Sequence, residues 1–224
     1  DGETDMARII AGIRAMTAAT PLPEGYFASL EGTFQAQEEA SRTIAVLSLA
    51  SLAMIFVVLY SRYRSATLTV IIMANVPLAL VGSVAALWIA SQPLSVASMI
   101  GFITLTGISA RNGILKISHY INLVLHEGMT FGPELALRGS QERLTPVLMT
   151  ALAAGVALVP LMIGADAPGK EILHPVAVTI FGGLVSATLL DAVLTPVLFL
   201  TFGRKPLQRL IAARDASLKP VEAY

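Results

Sequence analysis

Residues 67–90, TLTVIIMANVPLALVGSVAALWIA, decide the fold, because they run for 24 residues without a charged side chain. A helix of about 20 residues crosses the hydrocarbon core of a bilayer, which is about 30 Å thick. Pro77 does not exclude a helix here, since neighbouring helices can satisfy the carbonyl that a proline leaves free. We therefore interpret this stretch as a membrane span.

The composition of the whole chain agrees with a membrane protein. Of its 224 residues 55% are hydrophobic and 13% are charged, whereas about 25% of the residues of a soluble domain are charged. The net charge of zero argues against a nucleic-acid binder, which needs a basic surface to neutralise phosphates. The absence of cysteine from the sequence excludes a disulfide framework, Cys-ligated zinc and thiol catalysis.

Four further apolar stretches are long enough to cross a bilayer. With the first, they predict an all-α transmembrane bundle of five helices within residues 41–203. The four stretches are residues 43–60, 94–125, 144–165 and 175–202.

The basic residues between these spans are unequally distributed, with nine on one side and four on the other. The side richer in Lys and Arg is normally cytoplasmic, which predicts a cytoplasmic C-terminus with residues 204–224 as a basic tail. The nine are Arg62, Arg64, Arg138, Arg143, Arg204, Lys205, Arg209, Arg214 and Lys219; the four are Arg8, Arg14, Arg42 and Lys170.

Residues 1–40 then lie outside the membrane and resemble the end of a small α+β domain. Residues 5–19 have helical spacing, residues 21–25 predict a turn, and residues 26–34 are strand-like, before a polar helix from about Gln35 leads into the first span. An external segment needs a preceding span or a signal peptide, and residues 1–43 contain neither. We therefore expect this chain to be the C-terminal part of a longer transporter or channel.

Polar groups inside apolar helices are the candidate functional residues, because a charge at mid-membrane is costly and usually has a partner. Arg111 shares a helical face with Thr104, Gly107 and Ser118, and either faces other helices or extends to the cytoplasmic surface. Thr150 lies at a comparable depth, so a contact with Arg111 is geometrically possible. The alternative for Thr150 is a hydrogen bond to its own backbone.

Asp191 is the one acid inside a predicted span. It either pairs with Arg111, carries a proton, forms a neutral hydrogen bond between helices, or belongs to a helix end. Lys116 and His119 lie nearer the end of their span, and we expect both at the membrane interface. Gly182 and Gly183, and Gly101 with Gly107, predict close approaches between helices.

Other chemistries have no support in the sequence. The three histidines have no metal-ligand spacing, and neither a metalloprotease nor a serine-hydrolase motif is present. We therefore predict neither an enzyme nor a bound cofactor.

Five stretches in order resemble the C-terminal half of resistance-nodulation-division (RND) efflux pumps, most closely the heavy-metal-efflux branch. The resemblance covers about residues 5–203. The stretches are GFITLTGISARNGILKISHY from Gly101, RGSQERLTPVLMT from Arg138, PGKEI from Pro168, FGG from Phe181 and TPVLFL from Thr195.

The resemblance implies a place in a larger assembly. The five spans would be helices eight to twelve of twelve, and residues 5–34 the end of a periplasmic porter domain. The implied partners are the N-terminal half with helices one to seven, two further copies in a trimer, a periplasmic adaptor, an outer-membrane channel and membrane lipid. The implied location is the bacterial inner membrane.

The resemblance also implies proton-driven export through a relay of charged residues. Arg111, with Asn112 beside it, matches the basic position on helix ten, and Thr150 and Arg143 match positions on helix eleven. Since arginine does not release its proton, Arg111 would be an electrostatic partner of acids on helix four. Asp191 matches no relay position, and we expect it to support local packing.

Several alternatives stay open. The exported substrate is either heavy-metal cations or, on the same scaffold, drugs and other hydrophobic compounds. A non-transporting membrane subunit from a split or truncated gene is a further alternative. A metal-binding site in this chain cannot be assigned from the sequence.

Overall fold

The structure, a computed structural model, describes residues 2–19, 33–163 and 169–218, and these residues form eight helices without a strand. Two compact units divide the chain, Asp1–Val46 and Leu47–Tyr224. The helices are α1 (Gly2–Ala19), α2 (Thr33–Tyr63), α3 (Ala66–Met73), α4 (Asn75–Ile89), α5 (Val96–Glu127), α6 (Pro133–Met162), α7 (Leu173–Phe202) and α8 (Arg204–Leu218).

The first unit bears out the helix predicted from residue 5, which is α1. The predicted strand at residues 26–34 lies mostly outside the described residues, and its last two residues, Thr33 and Phe34, are helical. The strand prediction is wrong for these two, because the lead-in helix α2 begins at Thr33, two residues before the predicted start.

Four helical segments among the described residues are long and apolar enough to cross a membrane, and each overlaps most of one predicted span. The segments are Ala36–Tyr63, Ala66–Ile89, Pro133–Met162 and Leu173–Phe202. The remaining predicted span lies in α5, which is continuous for 32 residues but carries Arg111, Lys116 and many small or hydroxyl side chains. Five spans therefore stay a prediction.

The segment between α5 and α6 is shorter than the sequence suggested. The predicted spans 94–125 and 144–165 leave residues 126–143 between them, whereas α5 continues to Glu127 and α6 begins at Pro133. Proline suits the first helical turn because its missing N–H has no intrahelical acceptor there. Gly128 ends α5 in the left-handed conformation, with a φ of 68°. The predicted basic tail is helical as far as Leu218.

A buried apolar cluster joins the helices at one end of the second unit, where α2, α5 and α7 end and α3, α6 and α8 begin. The rings of Tyr120 and Phe199 lie 4.7 Å apart, and that of Phe131 lies 5.5 Å from Phe199. The buried members are Leu59, Tyr63, Leu68, Ile71, Ile72, Ile117, Tyr120, Ile121, Leu123, Leu135, Phe199 and Leu207.

Glycines allow α4, α5 and α7 to pack at close range. A Cβ on Gly182 would overlap Ala86 of α4, one on Gly183 would overlap Leu105 of α5, and one on Gly101 would lie 2.8 Å from the Cβ of Thr179. These three predicted close approaches are confirmed. Gly107 is different, since a Cβ there would meet no atom of the described residues within 4 Å, and a close approach at this position stays a prediction.

An alanine at Gly182 tests the contact between α4 and α7. Gly182→Ala should lower the stability of the purified protein in detergent by about 1–3 kcal/mol, because the added methyl overpacks the interface. Gly107→Ala is the matched control, and should leave stability unchanged or raise it by up to about 1 kcal/mol through helix propensity. Thermal unfolding measures both. Equal transition temperatures for the two variants would contradict the observed packing.

Candidate functional site

A buried ion pair lies between α5 and α7 in the second unit. Lys116 Nζ is 2.5 Å from Asp191 Oδ2, and the two side chains are 5% and 4% exposed. The same ammonium donates a hydrogen bond of 2.9 Å to the backbone carbonyl oxygen of Asp191. The lysine therefore contacts α7 at two points, one of them on the main chain.

Two neutral side chains complete the site on the other carboxylate oxygen. Asn75 Nδ2 donates to Asp191 Oδ1 at 2.8 Å and to Thr195 Oγ1 at 3.0 Å. Thr195 Oγ1 also donates to Asp191 Oδ1. Oδ1 thus accepts two hydrogen bonds, while Oδ2 is buried and has the ion pair with Lys116 as its only partner among the described residues, without a hydrogen bond. A charge in a low-dielectric interior is tolerated when it is paired in this way.

Local sequence explains how these side chains converge. Asp191 and Thr195 are four residues apart and therefore share one face of α7. Asn75 begins α4 directly after the break at Ala74, where Pro77 has no N–H to continue the hydrogen-bonding ladder of α3. Gly113 leaves room for the break, because a Cβ there would lie 3.1 Å from both Asn75 Nδ2 and the carbonyl oxygen of Ile72.

The pairing of Lys116 corrects two predictions. Lys116 is buried rather than interfacial, and Asp191 pairs with it rather than with Arg111. A signal for this was present, since Lys116 follows Gly101, Leu105, Ser109 and Gly113 at spacings of three and four. That face of α5 packs against α4 and α7, and Lys116 extends it.

Arg111 lies on the opposite face of α5 and is exposed. Five residues separate it from Lys116, which is about 140° around the helix at 100° per residue. Thr104 and Gly107 on the same face are exposed as well, and Ile100 is 45% exposed. Within the described part of the chain, Arg111 has no ion pair or hydrogen bond through its guanidinium.

The other predicted relay residues are not brought together with Arg111. Thr150 donates its hydroxyl to backbone carbonyls of its own helix, at 2.9 Å to Val147 and 3.1 Å to Pro146. Arg143 is half-buried, and its buried Nε has no acceptor among the residues that the structure describes. Asn112 is half-buried beside Arg111.

A separate group of charges lies on the surface where α5 and α6 meet. Arg138 binds Glu127 at 2.6 Å and Glu142 at 2.9 Å, and His119 Nε2 is 2.7 Å from Glu142. The side chain of His119 is 19% exposed, which fits its predicted place near an interface better than that of Lys116. Arg138 therefore links the second turn of α6 to the end of α5 through Glu127.

The neighbouring motif residues lock α5 to α6. Tyr120 Oη and Ser140 Oγ are hydrogen-bonded at 2.6 Å. Gly139 lies against the Tyr120 ring, where a Cβ would come within 2.5 Å of Cδ1. At the other end of α6, Lys170 joins the segment before α7 to the last turn of α6. Its ammonium donates to the carbonyl oxygens of Pro160 and Ile163 at 3.2 and 2.8 Å.

A groove of about 310 Å³ runs between α6 and α7. Its lining is almost entirely apolar and includes Leu152, Gly155 and Val156 of α6 with Phe181 and Val185 of α7.

Within the described ranges, no group of three or more His, Cys, Asp or Glu residues could hold a metal ion.

Comparison with known proteins gives consistent matches over most of the chain. The AcrB/AcrD/AcrF family matches residues 5–203. The cobalt-zinc-cadmium resistance protein CzcA of Cupriavidus metallidurans is 33% identical over 85% of this chain and 18% of its own length. The nickel and cobalt resistance protein CnrA of the same organism is 38% identical over 79% of this chain and 16% of its own length.

Multidrug resistance proteins and a solved structure are also similar. MdtC of Escherichia coli is 34% identical over 85% of this chain and 18% of its own length. The crystal structure of a heavy metal efflux pump superposes with a TM-score of 0.72 at 30% identity, over 88% of this chain and 20% of that chain. The chain thus spans about a fifth of the length of these relatives.

Removing one partner of the buried pair should be more damaging than removing both. Lys116→Met leaves the Asp191 carboxylate buried without its counter-ion, which costs about 3–5 kcal/mol. Lys116→Met combined with Asp191→Asn should recover most of that loss. Thermal unfolding of the purified variants in detergent measures the difference. If the double variant is as unstable as the sum of the single variants, the two side chains do not interact.

Proposed function

Because the chain belongs to the AcrB/AcrD/AcrF family of RND transporters, we propose that it supplies C-terminal transmembrane helices of a proton-driven exporter of heavy-metal cations. The observation that carries the proposal is Arg111, a fixed cation on a helix face that the described residues leave open. A charge in this position requires carboxylates from elsewhere in the transporter.

Arg111 would couple proton movement to helix movement through electrostatic attraction. While the facing carboxylates are ionised, they attract the guanidinium and hold α5. When protons neutralise them, the attraction falls and α5 can change its position. Arg111 stays charged throughout, because arginine is not deprotonated in proteins. The acids therefore carry the protons.

Thr150, Arg143 and Asn112 would take part when the helices move closer together. In this arrangement Thr150 uses its hydroxyl on its own backbone, and Arg143 has a buried Nε available for an acceptor. Both lie on α6. We assign them to the relay by their match to the family motif.

The membrane arrangement follows from the same proposal. Helix α5 would be the fifth span, shielded from lipid by its neighbours because its face with Arg111 is too polar for hydrocarbon. The end that carries the basic residues, including Arg62, Arg204 and Lys205, would be cytoplasmic by the positive-inside rule. The protein would then lie in the inner membrane with its C-terminus in the cytoplasm.

The proposed partners are those of a complete pump. They comprise the N-terminal helices and porter domains, two further copies in a trimer, a periplasmic adaptor, an outer-membrane channel and surrounding lipid. Exposed apolar side chains on the candidate spans provide surfaces for these helices and for lipid. Leu152 and Val193, for example, are both 66% exposed.

Export of drugs is the second candidate function. MdtC, a multidrug resistance protein, matches this chain at an identity of 34%, which lies within the range of the metal-resistance relatives. The helices described here therefore do not distinguish between the two substrate classes. A non-transporting membrane subunit is a weaker alternative, because it gives the exposed Arg111 no task.

Loss of the charge at Arg111 should abolish coupling in the complete transporter. Arg111→Met removes the partner of the carboxylates, and a loss of about 2–3 kcal/mol corresponds to proton-driven efflux that is about 30- to 160-fold slower. Arg111→Lys should retain a substantial part of the rate. Arg209→Met, on exposed α8, is the matched control. Efflux is measured in proteoliposomes with an imposed pH gradient, and an unimpaired Arg111→Met transporter would contradict the proposal.

Substrate protection separates metal export from drug export. Cells that depend on the complete transporter should grow in higher concentrations of cobalt, zinc, cadmium or nickel salts than cells with the Arg111→Met form. Their tolerance of hydrophobic drugs should be the same in both. The reverse pattern would establish the drug exporter and remove metals from the proposal.

A further inference from the structure

The ion pair between Lys116 and Asp191 is more than the packing of the bundle requires. Well-packed apolar side chains of similar volume are commonly as stabilising as a buried ion pair, or more so. Apolar side chains would also suit the surroundings, since Ala187 and Ile117 beside the site are buried and apolar. A buried ion pair with several directional contacts instead favours one arrangement of the helices, and here Lys116, Asn75 and Thr195 all contact Asp191.

We propose that Lys116 and Asp191 form a positioning pair, which sets the rotation of α5 and thereby the direction in which Arg111 points. The proposal rests on the function proposed above for Arg111. It adds a second charged site, on the opposite face of the same helix, that binds neither a proton nor the substrate.

The geometry of the pair suits this task. Lys116 contacts both the carboxylate and the backbone carbonyl of Asp191, so rotation of α5 and sliding along α7 would each lengthen one of the two contacts. Asn75 joins the same carboxylate to α4. Three helices are therefore held at one point, about 7.5 Å along the α5 axis from Arg111.

A small rotation at this point has a large effect on Arg111. Side chains extend about 5–6 Å from a helix axis, so turning α5 by about 30° displaces the Arg111 side chain by about 3 Å. That distance is enough to break an ion pair with a facing carboxylate. The positioning pair thus controls whether the cation of Arg111 meets its partners.

Proton carriage by Asp191 fits the site less well. Lys116 from α5 occupies Oδ2, and Asn75 from α4 and Thr195 from α7 occupy Oδ1. The phenol of Tyr120, one turn further along α5, already bonds to Ser140. No second acid faces Asp191 within the described ranges. A proton on Asp191 would therefore displace an existing donor and have no neighbouring acid to go to.

The experiment uses the complete transporter with cysteines outside this chain replaced by serine, since the chain itself has none. A cysteine at position 107, Gly107→Cys, reports the rotation of α5, because it shares the face of Arg111. No atom of the described residues lies within 4 Å of a Cβ at this position. Gly132→Cys, in the segment between α5 and α6, is the control for reagent access. The rate of reaction with a charged thiol reagent is compared with and without Lys116→Met/Asp191→Asn.

The pH dependence of efflux in proteoliposomes is the second readout. A cation favours the ionised form of carboxylates that face it, so misplacing Arg111 should raise the pH of half-maximal efflux by about one unit. Lys205→Met, on exposed α8, is the matched control and should leave the profile unchanged. The double variant Lys116→Gln/Asp191→Asn, which removes both charges and keeps polar side chains, should shift both readouts in the same direction if Lys116→Met/Asp191→Asn does not assemble.

The positioning pair predicts that the reaction rate at Gly107→Cys and the pH profile both change, while Gly132→Cys reacts as before. Unchanged values for both readouts would overturn the proposal. A changed reaction rate with an unchanged pH profile would mean that the pair sets the rotation of α5 without affecting the function of Arg111. That result would overturn the proposal as well. A shifted profile with an unchanged reaction rate would make Asp191 a proton carrier instead.

Failure of the proposed function is recognised separately. If Arg111→Met retains proton-driven efflux, Arg111 is not the coupling residue, whatever the labelling shows. The reaction rate at Gly107→Cys does not depend on transport. It therefore reports the rotation of α5 even when the function assigned to Arg111 is wrong.

Discussion

A charge inside an apolar helix bundle has to be neutralised where it lies, and the contact between Lys116 and Asp191 meets this requirement within the second unit. Features around it follow from the need to satisfy both charges. The break between α3 and α4 places Asn75 on the carboxylate, and Gly113 gives the break its space. Without the pair, each of these would be a weak point in otherwise regular helices.

The two faces of α5 combine a fixed charge with a free one. Lys116 lies on its inner face and is paired with Asp191 within the chain. Arg111 lies on its outer face and has no partner among the described residues. The helix is consequently less apolar than its neighbours and lies below the composition expected of a membrane span. Among the described residues its inner face packs against α4 and α7, whereas the outer face with Arg111 is exposed.

Sequence patterns predicted the helices of the second unit well, because long uncharged stretches have few alternatives to a membrane helix. They also identified Asp191 and the close approach of Gly182 and Gly183. They failed for the partner of Asp191. The position of Lys116 near the end of its span predicted an interfacial side chain, whereas Lys116 lies on the packed face of α5 and is buried. Which cation reaches an acid depends on helix rotation, and rotation is set by contacts that a single sequence does not contain. The start of α6 was missed because its first turns are charged.

Helix α6 is held by polar contacts at its two ends and by apolar packing against α7 between them. Tyr120 and His119 bind its first turns through Ser140 and Glu142, and Lys170 binds its last carbonyls. Along residues 145–159 the described side chains provide only apolar contacts to α7, beside the groove of about 310 Å³. Pro146 and Pro160 lie inside this helix and weaken its backbone ladder. Apolar contacts are non-directional, whereas hydrogen bonds fix position, so the middle of α6 can shift sideways along α7 more easily than its two ends.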